Sequence, residues 1–211
     1  MTRVAEAGAP LNRARAAVLM LHGRGGDADG MLSLAEALAQ SDVAWLAPEA
    51  VGRSWYPYSF LAPLADNEPH LSAALGTLTS LLERLAKEGV PPARVALLGF
   101  SQGACLALEY AARHAQRYAA VIGLSGGLIG PEGTSRAYAG SLQDSPVFLG
   151  CSDIDAHIPL ARVRETTRVL TALGGAVEER IYPGMGHGIN EDEVRQLRAL
   201  LSRIAAPEAR A

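Results

Sequence analysis

Ser101 stands in Gly99-Phe-Ser-Gln-Gly103, after the apolar run Val95 to Leu98 and before a helix-forming run from Gln102 to Ala112. A serine hydroxyl becomes nucleophilic when its turn holds it clear of the backbone and a base takes its proton. Gly-x-Ser-x-Gly between a strand and a helix is the pattern of such a turn, and the glycines leave room where strand and helix close on each other. The pattern alone is weak: it arises by chance roughly once in seven chains of this glycine and serine content. A second match, Gly123-Leu-Ser-Gly-Gly127, is present. There the serine is followed by Gly126-Gly-Leu-Ile-Gly-Pro-Glu-Gly133, which cannot form a helix. Context therefore assigns Ser101 as the nucleophile and Ser125 as a strand-end loop serine.

The base and its orienting acid should follow the nucleophile in the order acid, then histidine. Past the elbow helix, which carries a solvated His114, only His157 and His187 remain. His187 lies between glycines after the last apolar run, where a general base would stand. Asp153 and Asp155 compete for the acid; Asp155, deeper in its loop, is preferred, and the other reads as a turn-capping aspartate. Asp153, Asp155 and His157 could also be read as metal ligands, but no further ligand is evident and no metal is expected. Acyl transfer needs N–H donors for an oxyanion. The residue after the nucleophile, Gln102, supplies one at the start of a helix, and Arg24 in the glycine loop His22-Gly-Arg-Gly-Gly26 is placed for the other. Both use main chain, so the side chains should be free to vary.

Alternating elements must position these groups. The expected strands are Ala16 to Leu21, Val43 to Ala47, Val95 to Leu98, Tyr118 to Leu124, Pro146 to Cys151 and Ala176 to Tyr182. The expected helices are Asp27 to Gln40, with Met31, Leu34, Ala35 and Leu38 on one face, then Leu71 to Lys87, Ala104 to His114, Leu160 to Leu173 and Asn190 to Ile204. Asn190 with Glu193 suggests a capping box. This order predicts a mostly parallel sheet with helices on both faces and no large cap domain. Ligands then bind beyond the carboxyl ends of the strands, where every polar or glycine-rich exit loop lies. Residues 1–14 should fray or add an edge strand. Residues 49–70 form a connection long enough to be functional. Its Trp55, Tyr56, Tyr58 and Phe60 either wall a substrate pocket or pack over the core.

The chain has 211 residues, 49% of them hydrophobic, with a net charge of −3. One domain spanning 1–211 suffices. The charge makes no case for nucleic acid or an anionic membrane, and no apolar stretch reaches spanning length. The start lacks the apolar core of a signal peptide, and Cys105 and Cys151 fall in apolar segments. A cytoplasmic protein with buried free thiols is expected.

With these residues in place, the chain resembles the phospholipase/carboxylesterase family of α/β-hydrolases, which includes the acyl-protein thioesterases. The resemblance spans Ala16 to the end. It rests on Leu21-His-Gly-Arg-Gly-Gly-Asp27, Gly99-Phe-Ser-Gln-Gly-Ala104, Leu124-Ser-Gly-Gly127, Asp153-x-Asp155-x-x-Ile-Pro159 and Tyr182-Pro-Gly-Met-Gly-His187. It implies an α/β-hydrolase fold, the acid at Asp155, the base at His187 and a structural role for His22. It also implies hydrolysis of small to medium carboxylic esters through an acyl-enzyme, with no cofactor. Arg24 stands where the family usually has leucine, and Trp55-Tyr-Pro-Tyr-Ser-Phe60 where thioesterases usually have Trp-Phe-Asp. The chain is thus more similar to small bacterial carboxylesterases than to enzymes of long-chain acyl proteins or lysophospholipids. Alternatives are a thioesterase on small acyl thioesters, an acyl-protein thioesterase or lysophospholipase, and a catalytically silent ligand-binding protein. The expected partner is a small ester or thioester; a homodimer is left open. The Arg24 side chain either favours substrates bearing a carboxylate or pairs with Asp27 or Asp29.

Overall fold

The computed structural model describes residues 3–206. Seven strands form one sheet: β1 (Val4–Gly8), β2 (Ala16–Leu21), β3 (Val43–Pro48), β4 (Val95–Phe100), β5 (Ala120–Leu124), β6 (Pro146–Ser152) and β7 (Ala176–Tyr182). Their spatial order is β1-β3-β2-β4-β5-β6-β7. Only β1 runs antiparallel, pairing Val4 with Pro48 at the edge; the N-terminal segment thus takes the edge-strand alternative. The helices are α1 (Ala28–Leu38), α2 (His70–Lys87), α3 (Gln102–Arg113), α4 (Leu160–Ala172) and α5 (Glu191–Ile204).

β2 and β4 are apolar without interruption because each is covered on both sides. Val18, Met20, Ala96 and Leu98 point to one face, where Met31 and Leu38 of α1 and Leu197 and Leu201 of α5 pack on them. Leu19, Leu21, Val95 and Leu97 point to the other, against α2, α3 and α4. The period-2 alternation of strand side chains thus builds two cores from one continuous run.

Element bounds follow the sequence pattern with small shifts. α1 is capped by Asp27, whose side chain accepts from the Gly30 N–H at 2.9 Å, and Leu34 is only half-buried beside its buried neighbours Met31, Ala35 and Leu38. α3 starts two residues before Ala104, directly after Ser101. β5 starts two residues after Tyr118. Cys105 and Cys151 are free and buried. The long β5–β6 connection is tied to the body by buried Glu109, which accepts from the Ile129 N–H and the Tyr138 hydroxyl, and by Arg162, which donates to the Leu128 and Gly130 carbonyls. Among the described residues no helix is long and apolar enough to cross a membrane.

Candidate active site

β4 and α3 meet at Ser101, whose φ of 54° and ψ of −118° lie in the left-handed half of conformational space. Such a conformation costs of order 1–3 kcal/mol for a non-glycine residue and persists only when its surroundings dictate it. Two hydrogen bonds and two glycine close approaches do so here. The Ser101 N–H donates to the Leu124 carbonyl at 2.9 Å, and its carbonyl accepts the Cys105 N–H at 3.0 Å. A Cβ on Gly99 would run into the Gly103 carbonyl, and one on Gly103 into the Leu21 carbonyl at the end of β2. The two glycines therefore let the elbow close onto both its own helix and the neighbouring strand.

His187 follows β7 and Asp155 follows β6, so both loops leave the sheet at the same edge as the elbow. The structure brings the three side chains into one chain of hydrogen bonds. The Nε2 of His187 lies 2.9 Å from the Ser101 Oγ, and its Nδ1 lies 2.7 Å from the Asp155 Oδ2. The Asp155 carboxylate is fully buried. Burial alone would raise its pKa, but the His187 bond and the His157 and Ile158 amides, at 2.8 and 3.0 Å from Oδ1, hold it below the usual carboxylate range. The Cys151 thiol, kept protonated by burial that pushes it up to about 12, points at the same Oδ2 from 3.8 Å. Rings of Phe100 and His157 flank His187 at centroid distances of 5.2 and 4.8 Å.

The competing residues are placed elsewhere. Asp153 accepts the Gly184 N–H at 2.8 Å and so caps a turn of the His187 loop. Ser125 is buried at the end of β5, with its hydroxyl donating to the Gly188 carbonyl at 3.3 Å. It steadies the His187 loop from behind. Among the described residues, no group of three or more His, Cys, Asp or Glu side chains forms a metal cluster.

The Arg24 and Gln102 N–H groups find no acceptor among the described residues, and Gln102 is the first residue of α3, at the positive end of its dipole. His22 fixes the loop behind Arg24. Its Nδ1 donates to the Gly23 carbonyl at 2.7 Å and its Nε2 accepts the Ala50 N–H at 3.0 Å, a pair of bonds that selects the Nδ1–H tautomer.

The expectation that the Arg24 and Gln102 side chains could vary is corrected. Gln102 accepts the Trp55 N–H at 3.0 Å and donates to the Tyr56 carbonyl at 2.8 Å. Arg24 donates to the Ser54 hydroxyl and to the Pro57 and Tyr58 carbonyls at 2.7–2.9 Å. The Arg24 and Gln102 side chains thus strap the aromatic connection over Ser101. The signal for this was their polarity beside an otherwise apolar elbow. Neither aspartate proposed as a partner for Arg24 is one: Asp27 pairs with Arg53 and Asp29 with Arg3.

A cavity of about 630 Å³ opens above Ser101, walled by Tyr56, Tyr58 and Phe60. Trp55 is not part of the wall. Its indole is buried, donates to the His22 carbonyl at 2.9 Å and packs 5.0 Å from the His22 ring. Being wide and apolar with a single N–H, it serves as filler beneath the loop rather than as a substrate contact.

Comparison with known proteins shows the family. A family model described as phospholipase/carboxylesterase matches residues 3–204. The crystal structure of a phospholipase/carboxylesterase from Dyadobacter fermentans DSM 18053 is 40% identical, with a TM-score of 0.92 over 95% of this chain and 97% of that one. An acyl-protein thioesterase 1 of Yarrowia lipolytica is 25% identical, over 86% of this chain and 88% of its own length. An acyl-protein thioesterase 1 of Gibberella zeae is 27% identical over 135 residues, which span 61% of this chain and 56% of that relative.

Proposed function

We propose, from the premise that this chain belongs to the phospholipase/carboxylesterase family and is a serine ester hydrolase, that it is a carboxylesterase of small to medium esters. The reading takes the chain as one α/β-hydrolase domain in which Ser101, His187 and Asp155 act as a triad. Its main support is the unbroken chain of hydrogen bonds from the Ser101 Oγ through His187 to Asp155.

Ser101 Oγ attacks the acyl carbon while His187 Nε2 takes its proton. Asp155 holds the imidazole in the tautomer with the proton on Nδ1, so that Nε2 is free to accept, and it stabilises the imidazolium that forms. The carbonyl oxygen, now an oxyanion, is received by the Arg24 and Gln102 N–H groups. His187 gives its proton to the departing alcohol, whose C–O bond breaks to leave the acyl-Ser101. Water, deprotonated by the same nitrogen, then attacks the acyl carbon; as the bond from that carbon to the Ser101 Oγ breaks, His187 returns the proton to Oγ and the acid is released. All of these groups come from the chain itself.

The same steps serve a thioester, and the similarity to acyl-protein thioesterase 1 relatives supports acyl thioesters as a second substrate class. Incubation with a neutral fluorophosphonate, followed by turnover of alkyl esters and acyl thioesters of rising chain length, tests the reading. Stoichiometric labelling of Ser101 and turnover of short esters are expected. A protein that neither reacts nor turns over any ester or thioester would overturn it and restore the silent-binder alternative.

A further inference from the structure

The cavity over Ser101 holds a guanidinium but no carboxylate. Its walls include Arg24, Tyr56, Tyr58, His157 and His187, and neither Asp nor Glu. No described carboxylate lies within 4.0 Å of Arg24, because the nearby acids serve other arginines: Asp27 pairs with Arg53, and Asp29 and Glu49 pair with Arg3. The partners that Arg24 does have, one hydroxyl and two carbonyls, are neutral. Those bonds use both Nη1 hydrogens and one on Nη2. Of the five guanidinium donors, the Nε–H and one Nη2–H are left. They sit on neighbouring nitrogens of the fork, a spacing suited to the two oxygens of one carboxylate. Tyr56, on the same wall, is 1% exposed, and its hydroxyl has no hydrogen-bond partner among the described residues.

The two walls have different chemistry. The departing alcohol must take its proton from His187 Nε2, so it lies beside His187, where Phe100 and His157 flank the ring. The acyl part then extends away from His187, toward the wall that Arg24 straps. From this arrangement we infer that the substrate's acyl part ends in a carboxylate received by the free edge of Arg24, so that half-esters of dicarboxylic acids are the preferred class. The inference rests on the esterase reading above. It assigns Arg24 a second part, as a specificity residue in addition to a strap.

The test compares ethyl hydrogen succinate with ethyl 4-oxopentanoate, a neutral ketone of the same length, and repeats the pairing for the glutarate and adipate half-esters. Hydrolysis is followed by pH-stat at low and high salt. At one length or more, kcat/KM should favour the acid by about tenfold at low salt, and the preference should shrink as salt screens the charge. In Arg24→Gln both rates fall as the strap weakens, but the acid-to-neutral ratio should drop about tenfold further; Arg24→Lys should keep part of it.

A ratio at or below one at every length overturns the inference, as does an Arg24→Gln variant in which both members of each pair fall equally. The wild-type ratio and its salt dependence decide the matter even if the variants do not fold. Labelling of Ser101 by fluorophosphonate separates the two levels. Labelling without a preference for the acid overturns this inference alone. No labelling and no turnover on any ester overturns the esterase reading, and the inference with it.

Discussion

The imidazole of His187 stands 2.9 Å from the hydroxyl of Ser101 although 86 residues separate them. Each is held by its own loop at one edge of the sheet. If that contact is catalytic, removing either partner should cost nearly the whole rate. Ser101→Ala and His187→Ala should each lower kcat about 10⁶-fold, and Asp155→Asn about 10⁴-fold, because the asparagine amide favours the wrong imidazole tautomer. Single-turnover ester hydrolysis with circular dichroism on each variant checks this. A Ser101→Ala variant within tenfold of wild type would remove the nucleophile assignment.

Gln102→Ala should show an effect on folding as well as on activity. It leaves the buried Trp55 N–H without its acceptor and removes one of the two donors to the Tyr56 carbonyl, the Ser54 hydroxyl remaining. Unpaired buried groups cost about 1–3 kcal/mol. A fall of that size in urea stability, with a raised KM as the 54–58 segment loosens, is expected. The Gln102→Glu variant keeps an acceptor for the Trp55 N–H but loses the donor to Tyr56, and should fall between the two.

Gly103→Ala tests the elbow itself. The added methyl would meet the Leu21 and His22 carbonyls, which are backbone at the end of β2 and have nowhere to move. A destabilisation of about 3 kcal/mol or more is expected, measured as the shift of the urea midpoint. A neutral substitution would mean that β2 and α3 are further apart than described.

Glu193 gives a pH signature away from the triad. It is the third residue of α5 and completes a capping box with Asn190, its Oε2 accepting the Asn190 N–H at 2.8 Å. Its other oxygen is buried without a partner. Burial pushes its carboxyl up to about 7. A carboxyl with a raised pKa binds its proton more tightly in the folded chain than in the unfolded one. Its contribution is therefore most favourable below the unfolded value near 4.3, declines as pH rises to about 7, and is flat above that. The difference in stability between wild type and Glu193→Gln should change by about 3 kcal/mol between pH 4 and pH 8, with the glutamine variant gaining toward high pH. A difference independent of pH would show that Glu193 titrates normally.

Asn190→Ala should cost about 1 kcal/mol by loss of the α5 cap. The Asn190 side chain accepts the Glu193 N–H at 2.9 Å, three residues after His187. A measurable fall in kcat is also expected if His187 is the base, because the cap anchors the far end of the His187 loop. Thermal denaturation with kinetics on the same preparation separates the two effects.

The local pattern of the chain was enough to locate Ser101, the order of strands and helices, and the loops that hold His187 and Asp155. Each of those rests on short-range physics. An uninterrupted apolar run with a glycine exit must be a covered strand, and only glycines permit the elbow. Even the Asn190–Glu193 box was readable, since its two bonds span three residues.

What the chain could not reveal by itself were contacts between segments distant in sequence. Loop position and the family pattern favour Asp155 over Asp153, but the 2.7 Å contact with His187 exists only because the β6–β7 edge brings the two loops together. The placement of Trp55 under the loop and of Tyr56 in the wall depends on which side of residues 54–58 faces the core. The Gln102 and Arg24 straps cross 46 to 48 and 30 to 34 residues respectively. Whether Arg24 keeps an unmatched charge depends on Asp27 and Asp29 being claimed by Arg53 and Arg3. A residue's type states what it can bond; only the closing of the sheet and its loops decides which competing partner comes within reach.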